Sequence, residues 1–196
     1  MPRVTHVKSA RKDNPAHGIK KGDSYYWWAF RMGRTSIKKF SKTPPKPWEL
    51  TQSAFWQEQL QLIDQIETAC GSAENALQSI NMNFMDDLSN ELEGVLNDIE
   101  NLKDQAEESL YNLPEQLQDS HMLNDRMNDL ESWHDEMDSA RDRLEELSPL
   151  IDEYNAMPDP VEGDDDDVVK EEKFTEIEDL LNDIVGEIGS TDYQGS

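Results

Sequence analysis

Leu130-Glu-Ser-Trp133-His-Asp-Glu-Met137-Asp-Ser-Ala140-Arg-Asp-Arg-Leu144-Glu-Glu-Leu147-Ser-Pro-Leu-Ile151-Asp-Glu-Tyr154 decides the fold. Its numbered apolar residues fall at alternating spacings of three and four, with mostly polar and charged residues between. A helix turns once in about 3.6 residues, so this alternation draws one apolar seam along it, the a/d pattern of a coiled coil. Upstream, Leu77, Met85, Leu88, Leu92, Val95, Ile99, Leu102 and Ala106 supply a second stripe. Between the two stands Asn112-Leu-Pro114. Asn can cap a helix there, and Pro fits only the first turn of a new one. The stripes mirror each other about that proline: 99 with 130, 95 with 133, 92 with 137 and 88 with 140 each sum to 228 or 229. The reading is a mainly α protein built on a long antiparallel coiled-coil helical hairpin, its arms at about 48–112 and 114–157. A seam does not declare whether its partner helix lies in the same chain, so a homo-oligomer stays open beside the hairpin.

Charge divides the chain in two. The formal net charge over 196 residues is −25, yet residues 1–48 hold twelve Lys or Arg against only Asp13 and Asp23, a net +10. The remainder holds six basic and 41 acidic residues, a net −35. A basic head on an acidic body points to an anionic partner for the head. Hydrophobic residues make up 35% and charged ones 31%, which suits long exposed helices better than a thick core. Cys70 is the only cysteine, so no intrachain disulfide can form and a reducing compartment is expected. No apolar run reaches the length of a membrane span or a secretory leader. The expectation is a cytoplasmic protein that needs no membrane.

The head, 1–42, begins with a candidate short strand at 3–8 and a loop rich in basic residues. Ser24-Tyr-Tyr-Trp-Trp-Ala-Phe-Arg31, then Met32-Gly33, then Arg34-Thr-Ser-Ile-Lys-Lys-Phe-Ser41 reads as a β-hairpin. Thr43-Pro-Pro-Lys-Pro47 is a stiff linker, because proline fixes φ and removes a donor. Helical spacing starts at about Trp48, and Gly71 suggests a hinge, since Gly costs about 1 kcal/mol relative to Ala within a helix. Past the hairpin, 158–173 with Asp164 to Asp167 reads as a self-repelling acidic linker. An amphipathic helix follows at 174–188, and 189–196 reads as a disordered tail. The terminal helix is expected to dock as a third strand on the overhang near Phe55, Trp56, Leu60 and Ile63. Its acidic linker would then approach the head.

Aromatic and basic side chains interleave in the hairpin. A strand sends alternate residues to opposite faces, so Tyr25, Trp27 and Arg31 share one side and Tyr26, Trp28 and Phe30 the other. One side packs on the helix start and the other is left for stacking on bases beside phosphate-neutralising cations. The nucleic-acid-binding set is assigned to Lys20, Lys21, Tyr26, Trp28, Phe30, Arg31, Arg34, Lys38 and Lys39. Phe174, Ile177, Leu181, Ile184 and Ile188 form an apolar stripe that would bind a protein partner. The acidic rod is a second surface for one.

Residues 24–41, with their aromatic-basic strands around a Gly turn, resemble the three-stranded arm-binding modules that precede tyrosine recombinases. No recombinase catalytic domain follows, so the likeness does not carry that activity. Basic aromatic head plus acidic coiled coil also resembles the small coiled-coil proteins of bacteriophages, which would place the chain in a host cytoplasm.

Chemistry-bearing motifs are sparse. Glu131-Ser-Trp-His134 has the Glu-x-x-His spacing of di-iron bundles, but those need two such motifs and two more carboxylates. Asp164 to Asp167 lacks the spacing of a calcium loop. The expectation is therefore no enzyme, no cofactor and no metal. One rival is an acidic decoy that imitates nucleic acid toward a DNA-binding or defence protein. Residues 81–157 carry 22 acids and 4 bases. Along an arm of about 66 Å that is about one net charge per 3 to 4 Å, roughly half the linear density of duplex DNA. The other rival is a structural coiled-coil component.

Overall fold

The computed structural model describes residues 1–79, 81–114, 121–157 and 166–190. The chain is mainly helical, with a three-stranded antiparallel sheet near its start. It divides into two compact units, Met1–Gln61 and Leu62–Ser196, with the division falling inside one helix.

In the first unit, β1 (Thr5–Val7), β2 (Tyr25–Met32) and β3 (Thr35–Ser41) form a sheet in sequence order. Gly33, at φ +59°, takes the first turn position between β2 and β3, where a two-residue hairpin loop needs positive φ. The long loop before β2 is folded back by the head's two acids. Asp13 accepts the Lys21 backbone N–H at 2.6 Å, and Asp23 accepts that of Lys20 at 3.0 Å while pairing with Lys42 at 3.2 Å. Those partners hold the Asp23 carboxyl below its usual range, the Lys20 N–H first and Lys42 next. Ala10 and Ile19, both within this loop, are buried.

After the sheet, Lys46-Pro-Trp-Glu49 makes a single 3-10 turn, Pro47–Leu50, in place of the expected helix start at Trp48. Pro47 fits the first position, and the Glu49 carboxylate accepts the Lys46 N–H at 2.8 Å, which closes the start of the turn. α1 (Ala54–Gln78) begins four residues later. Gly71 lies inside it and is no hinge. Its cost of about 1 kcal/mol is small beside the burial of neighbouring Ala69, Cys70, Ala73 and Leu77. Burial also pushes the Cys70 thiol up to about 11, with the Glu74 carboxylate adding to the rise.

The first arm is interrupted elsewhere, between α1 and α2 (Phe84–Tyr111). Asn side chains offer the backbone there a rival to helix: Asn83 N–H binds Asn81 Oδ1 at 3.1 Å. The Asn81 N–H turns back to the Ala76 carbonyl at 2.9 Å. Asp86 and Asp87 then stabilise the start of α2, where a helix dipole favours negative charge.

The second arm is α3 (His121–Arg143), a 3-10 turn at Leu144–Glu146, and α4 (Leu147–Ala156). Pro149 explains the turn. It has no N–H for the carbonyl four residues back, and its ring crowds that carbonyl, so the chain tightens before it. The seam survives the irregularity: Leu130, Trp133, Met137, Ala140, Leu144, Leu147 and Ile151 are each 7% exposed or less. In α2, Leu88, Leu92, Val95, Ile99, Leu102 and Ala106 are buried, joined by Leu96, while Phe84 is buried in place of the expected Met85.

α2 packs on α3. Lys103 pairs with Glu131 at 3.7 Å, and Glu93 lies close enough to Arg141 to help hold its guanidinium protonated. As one number falls the other rises, so these two helices run antiparallel. Both contacts join numbers summing to 234 rather than to 228 or 229. A stripe that repeats every three or four residues leaves registers half a heptad apart nearly equivalent.

α5 (Asp166–Ser190) is longer than expected at both ends. Residues 166–173 are helix, not linker, and Gly189 and Ser190 belong to the last turn. The rest of the expected linker, 158–165, and tail residues 191–196 lie outside the described residues. Lys170 and Lys173 anchor the start of this helix on the second arm. Lys170 lies 5.2 Å over the Tyr154 ring, and Lys173 pairs with Glu153 at 2.9 Å and Glu176 at 2.7 Å.

The expected docking of this helix near Phe55 and Trp56 is also corrected. α5 packs on α3 and α4. Arg143 donates to Asp183 at 2.7 Å and also to Glu187. With Lys173 on Glu153, the numbers again run in opposite senses, so α5 is antiparallel to the second arm. Ile177, Leu181, Ile184 and Ile188 are all 1% exposed or less. Burying four such side chains contributes about 1.5–3 kcal/mol each. The ion pairs are screened by water and add little beside this, so the apolar stripe dominates.

Gly71→Ala tests the corrected helix. A Cβ at Gly71 meets nothing within 4 Å. The substitution is expected to raise stability by about 0.5–1 kcal/mol in urea unfolding. A loss of stability would show that the backbone at Gly71 is not helical.

Candidate nucleic-acid interface

Register decides which side chains of the head share a face. Thr5 pairs with Trp27 and Val7 with Tyr25, while Phe40 pairs with Trp27, Lys38 with Ala29 and Ser36 with Arg31. Directly opposed residues lie on one side of a sheet. One face therefore carries Thr5, Val7, Tyr25, Trp27, Ala29, Arg31, Ser36, Lys38 and Phe40. The other carries His6, Tyr26, Trp28, Phe30, Ile37 and Lys39.

The two faces are as expected, but their roles are exchanged. Trp28 is 1% exposed, and its indole N–H donates to the Glu49 carbonyl at 3.0 Å. The 3-10 turn at Pro47–Leu50 thus accepts the one polar atom of the largest buried side chain in the unit. Phe30 is buried as well. Neither ring is open to a base, which removes both from the binding set. Tyr26 is half-buried and stacks on His6 at 4.5 Å, whose Nε2 meets Ser24 Oγ at 2.8 Å. This face buries Trp28 and Phe30, and is exposed at His6 and Lys39 and, toward the hairpin tip, at Met32 and Ile37.

Trp27 occupies the open face and is half-buried. The Lys38 ammonium stands 5.6 Å from its ring centroid. Phe40, opposite Trp27, is framed by Tyr25 at 6.1 Å and by His17, stacked at 4.5 Å. Lys20, Lys21, Arg31, Arg34, Lys38 and Lys39 are all exposed. Arg31 and Lys38 lie on the Trp27 face, while Lys39 lies on the other side, 5.8 Å from the Phe30 ring. Lys20 and Lys21 sit in the loop whose backbone the two acids hold.

Among the described residues, no carboxylate pairs with Arg3, Arg31 or Lys38. Asp13 and Asp23 are both engaged within the loop system. The face therefore projects cations that the head does not neutralise. Trp27 and Arg3 join the candidate residues, from which the sequence reading omits them. The alternation places Trp27 on one of two faces, but both faces are aromatic and give no sign of which turns inward.

The other candidate sites have different fates. Phe174 is half-buried, 6.0 Å from the Tyr154 ring, and the rest of its stripe is covered by the chain itself. It is not free for an outside protein. Glu131 is held by Lys103, and His134 Nδ1 lies 3.8 Å from Asp135. Among the described residues no group of His, Cys, Asp or Glu could hold a metal ion, and no helix is long and apolar enough to cross a membrane. No family model, curated protein or solved structure matches this chain.

Two tryptophan variants separate the faces. Trp28→Ala should cost about 3–5 kcal/mol and unfold the head, seen as collapse of the dispersed NMR signals of the sheet. Trp27→Ala should leave those signals in place.

Proposed function

We propose that this chain is a non-enzymatic, cytoplasmic accessory protein whose basic head binds nucleic acid. Its body, in this reading, is an antiparallel coiled-coil hairpin of α2 with α3 and α4, with α5 laid along the second arm. The observation that carries the proposal is the Trp27 face: an accessible aromatic ring flanked by Arg31 and Lys38, with both acids of the head occupied elsewhere. Stacking and phosphate neutralisation are the two attractions that hold a nucleic acid without sequence readout. The body then serves as a scaffold that keeps its acidic surface in water and repels the same ligand. That repulsion confines binding to the head.

A decoy role for the acidic surface is the second reading. Lys103, Arg141 and Arg143 are each committed to carboxylates, which leaves the flanks of α2 and α3 strongly acidic. Its charge density of roughly half that of duplex DNA is the point against it.

Fluorescence anisotropy of the full chain with labelled oligonucleotides should show binding at about 50 mM salt that weakens steeply as salt rises. Each phosphate that the head neutralises steepens the dependence of log affinity on log salt by about 0.7–0.9. Absence of binding at low salt would overturn the proposal. For the body, Val95→Cys with Met137→Cys in a Cys70→Ala background should give an intramolecular disulfide on oxidation. Products that are solely cross-linked dimers would show that the arms pair between chains.

A further inference from the structure

Beside the sheet an open cleft of about 730 Å³ is lined by Arg3, Thr5, Trp27, Ala29, Arg31 and Gln52, among others. Its volume falls within the roughly 300–1,000 Å³ usual for clefts that receive small organic groups. We propose that this cleft takes one unpaired base of a single-stranded nucleic acid, slotted between the Trp27 ring and the Arg31 guanidinium. The proposal rests on the nucleic-acid reading of the head and narrows it to a strand class and a seat.

The slot follows from strand geometry. Trp27, Ala29 and Arg31 are successive residues on one side of β2, so Trp27 and Ala29, like Ala29 and Arg31, stand about 6.6–6.8 Å apart along the strand. A span of about 13 Å between the two outer residues gives long side chains room to lean over a planar ring system from either side. Ala29, with only a methyl group, forms the floor, and any larger residue there would fill the gap. An arginine plane and an indole are both surfaces on which bases stack.

The surroundings suit the rest of a nucleotide. Lys38, paired with Ala29 across the strands, holds its ammonium 5.6 Å from the Trp27 centroid, within a side chain's swing of a phosphate. Arg3 lines the same cleft and has no carboxylate partner among the described residues. Gln52 and Thr5 offer a donor and acceptor each to a base edge. A base held within a duplex is stacked on both sides already and cannot enter the slot. Single strands are therefore selected by geometry and not by charge.

The test is a competition among strands with the full chain. Oligothymidylate and oligouridylate of about twelve nucleotides, and a duplex of equal length, are titrated at about 50 mM salt against the wild type and Ala29→Leu. Both single strands should bind at least about tenfold tighter than the duplex, and within about threefold of each other, because the slot reads the base plane and not the sugar. Ala29→Leu removes no charge, so it should cost about tenfold on single strands and leave duplex binding unchanged. Duplex binding equal to or tighter than single-strand binding would overturn the slot while sparing the nucleic-acid reading. An Ala29→Leu variant of full single-strand affinity, or a large preference between the two sugars, would do the same. No binding of any strand would remove both. NMR dispersion of the head in Ala29→Leu shows that a loss is not unfolding.

Discussion

Each long element of this chain is apolar along one side, and water drives that side against another element. In the helical unit the constraint operates at a period of three and four residues. It is satisfied by the seam from Leu130 to Ile151, which faces α2 on one flank and α5 on another. In the head it operates at a period of two. There both sides of β2 are aromatic, so burial alone does not choose between them. The choice falls to one polar atom. The Trp28 indole N–H would cost free energy if buried without a partner, and the Glu49 carbonyl supplies one. Once Trp28 is inside, alternation places Trp27 outside with Arg31 and Lys38.

Glu49 therefore does two jobs. Its carboxylate accepts the Lys46 N–H and closes the 3-10 turn after the prolines, and its carbonyl receives Trp28. A segment that reads as the start of the helical arm is what orients the sheet, with Trp28 inward and Trp27 on the open face. The loop before β2 contributes similarly. By holding Asp13 and Asp23 on backbone N–H groups and on Lys42, it keeps carboxylates away from the cations of the open face.

Much of this is legible in the residues and some is not, for identifiable reasons. The seam shows because a heptad repeats over many turns, and its members from Leu130 to Ile151 are buried as read, with Tyr154 half-buried. The register is less legible, since a/d stripes half a heptad apart are nearly equivalent. Gly71 misleads: its backbone entropy is outweighed by the packing of α1, while the true break lies at Asn81 and Asn83, whose side chains compete for the backbone. Pro149 carries a signal for the 3-10 turn that periodicity alone passes over. The start of α5 looks like a repelling linker until the anchors at Lys170 and Lys173 are counted. Of the candidate site, the face pattern and the cations are readable, but the inward turn of Trp28 is not, because it depends on a carbonyl 21 residues away in sequence.

The exchange of faces is the claim on which the functional account stands, and the indole N–H signals of the five tryptophans report on it directly. In the full chain labelled with nitrogen-15, an oligothymidylate titrated at low salt should shift and broaden the Trp27 indole signal. The Trp28 signal should stay in place and exchange slowly with solvent hydrogen, held by Glu49. A Trp28 signal that exchanges fast and moves with the ligand, while Trp27 stays silent, would contradict the account.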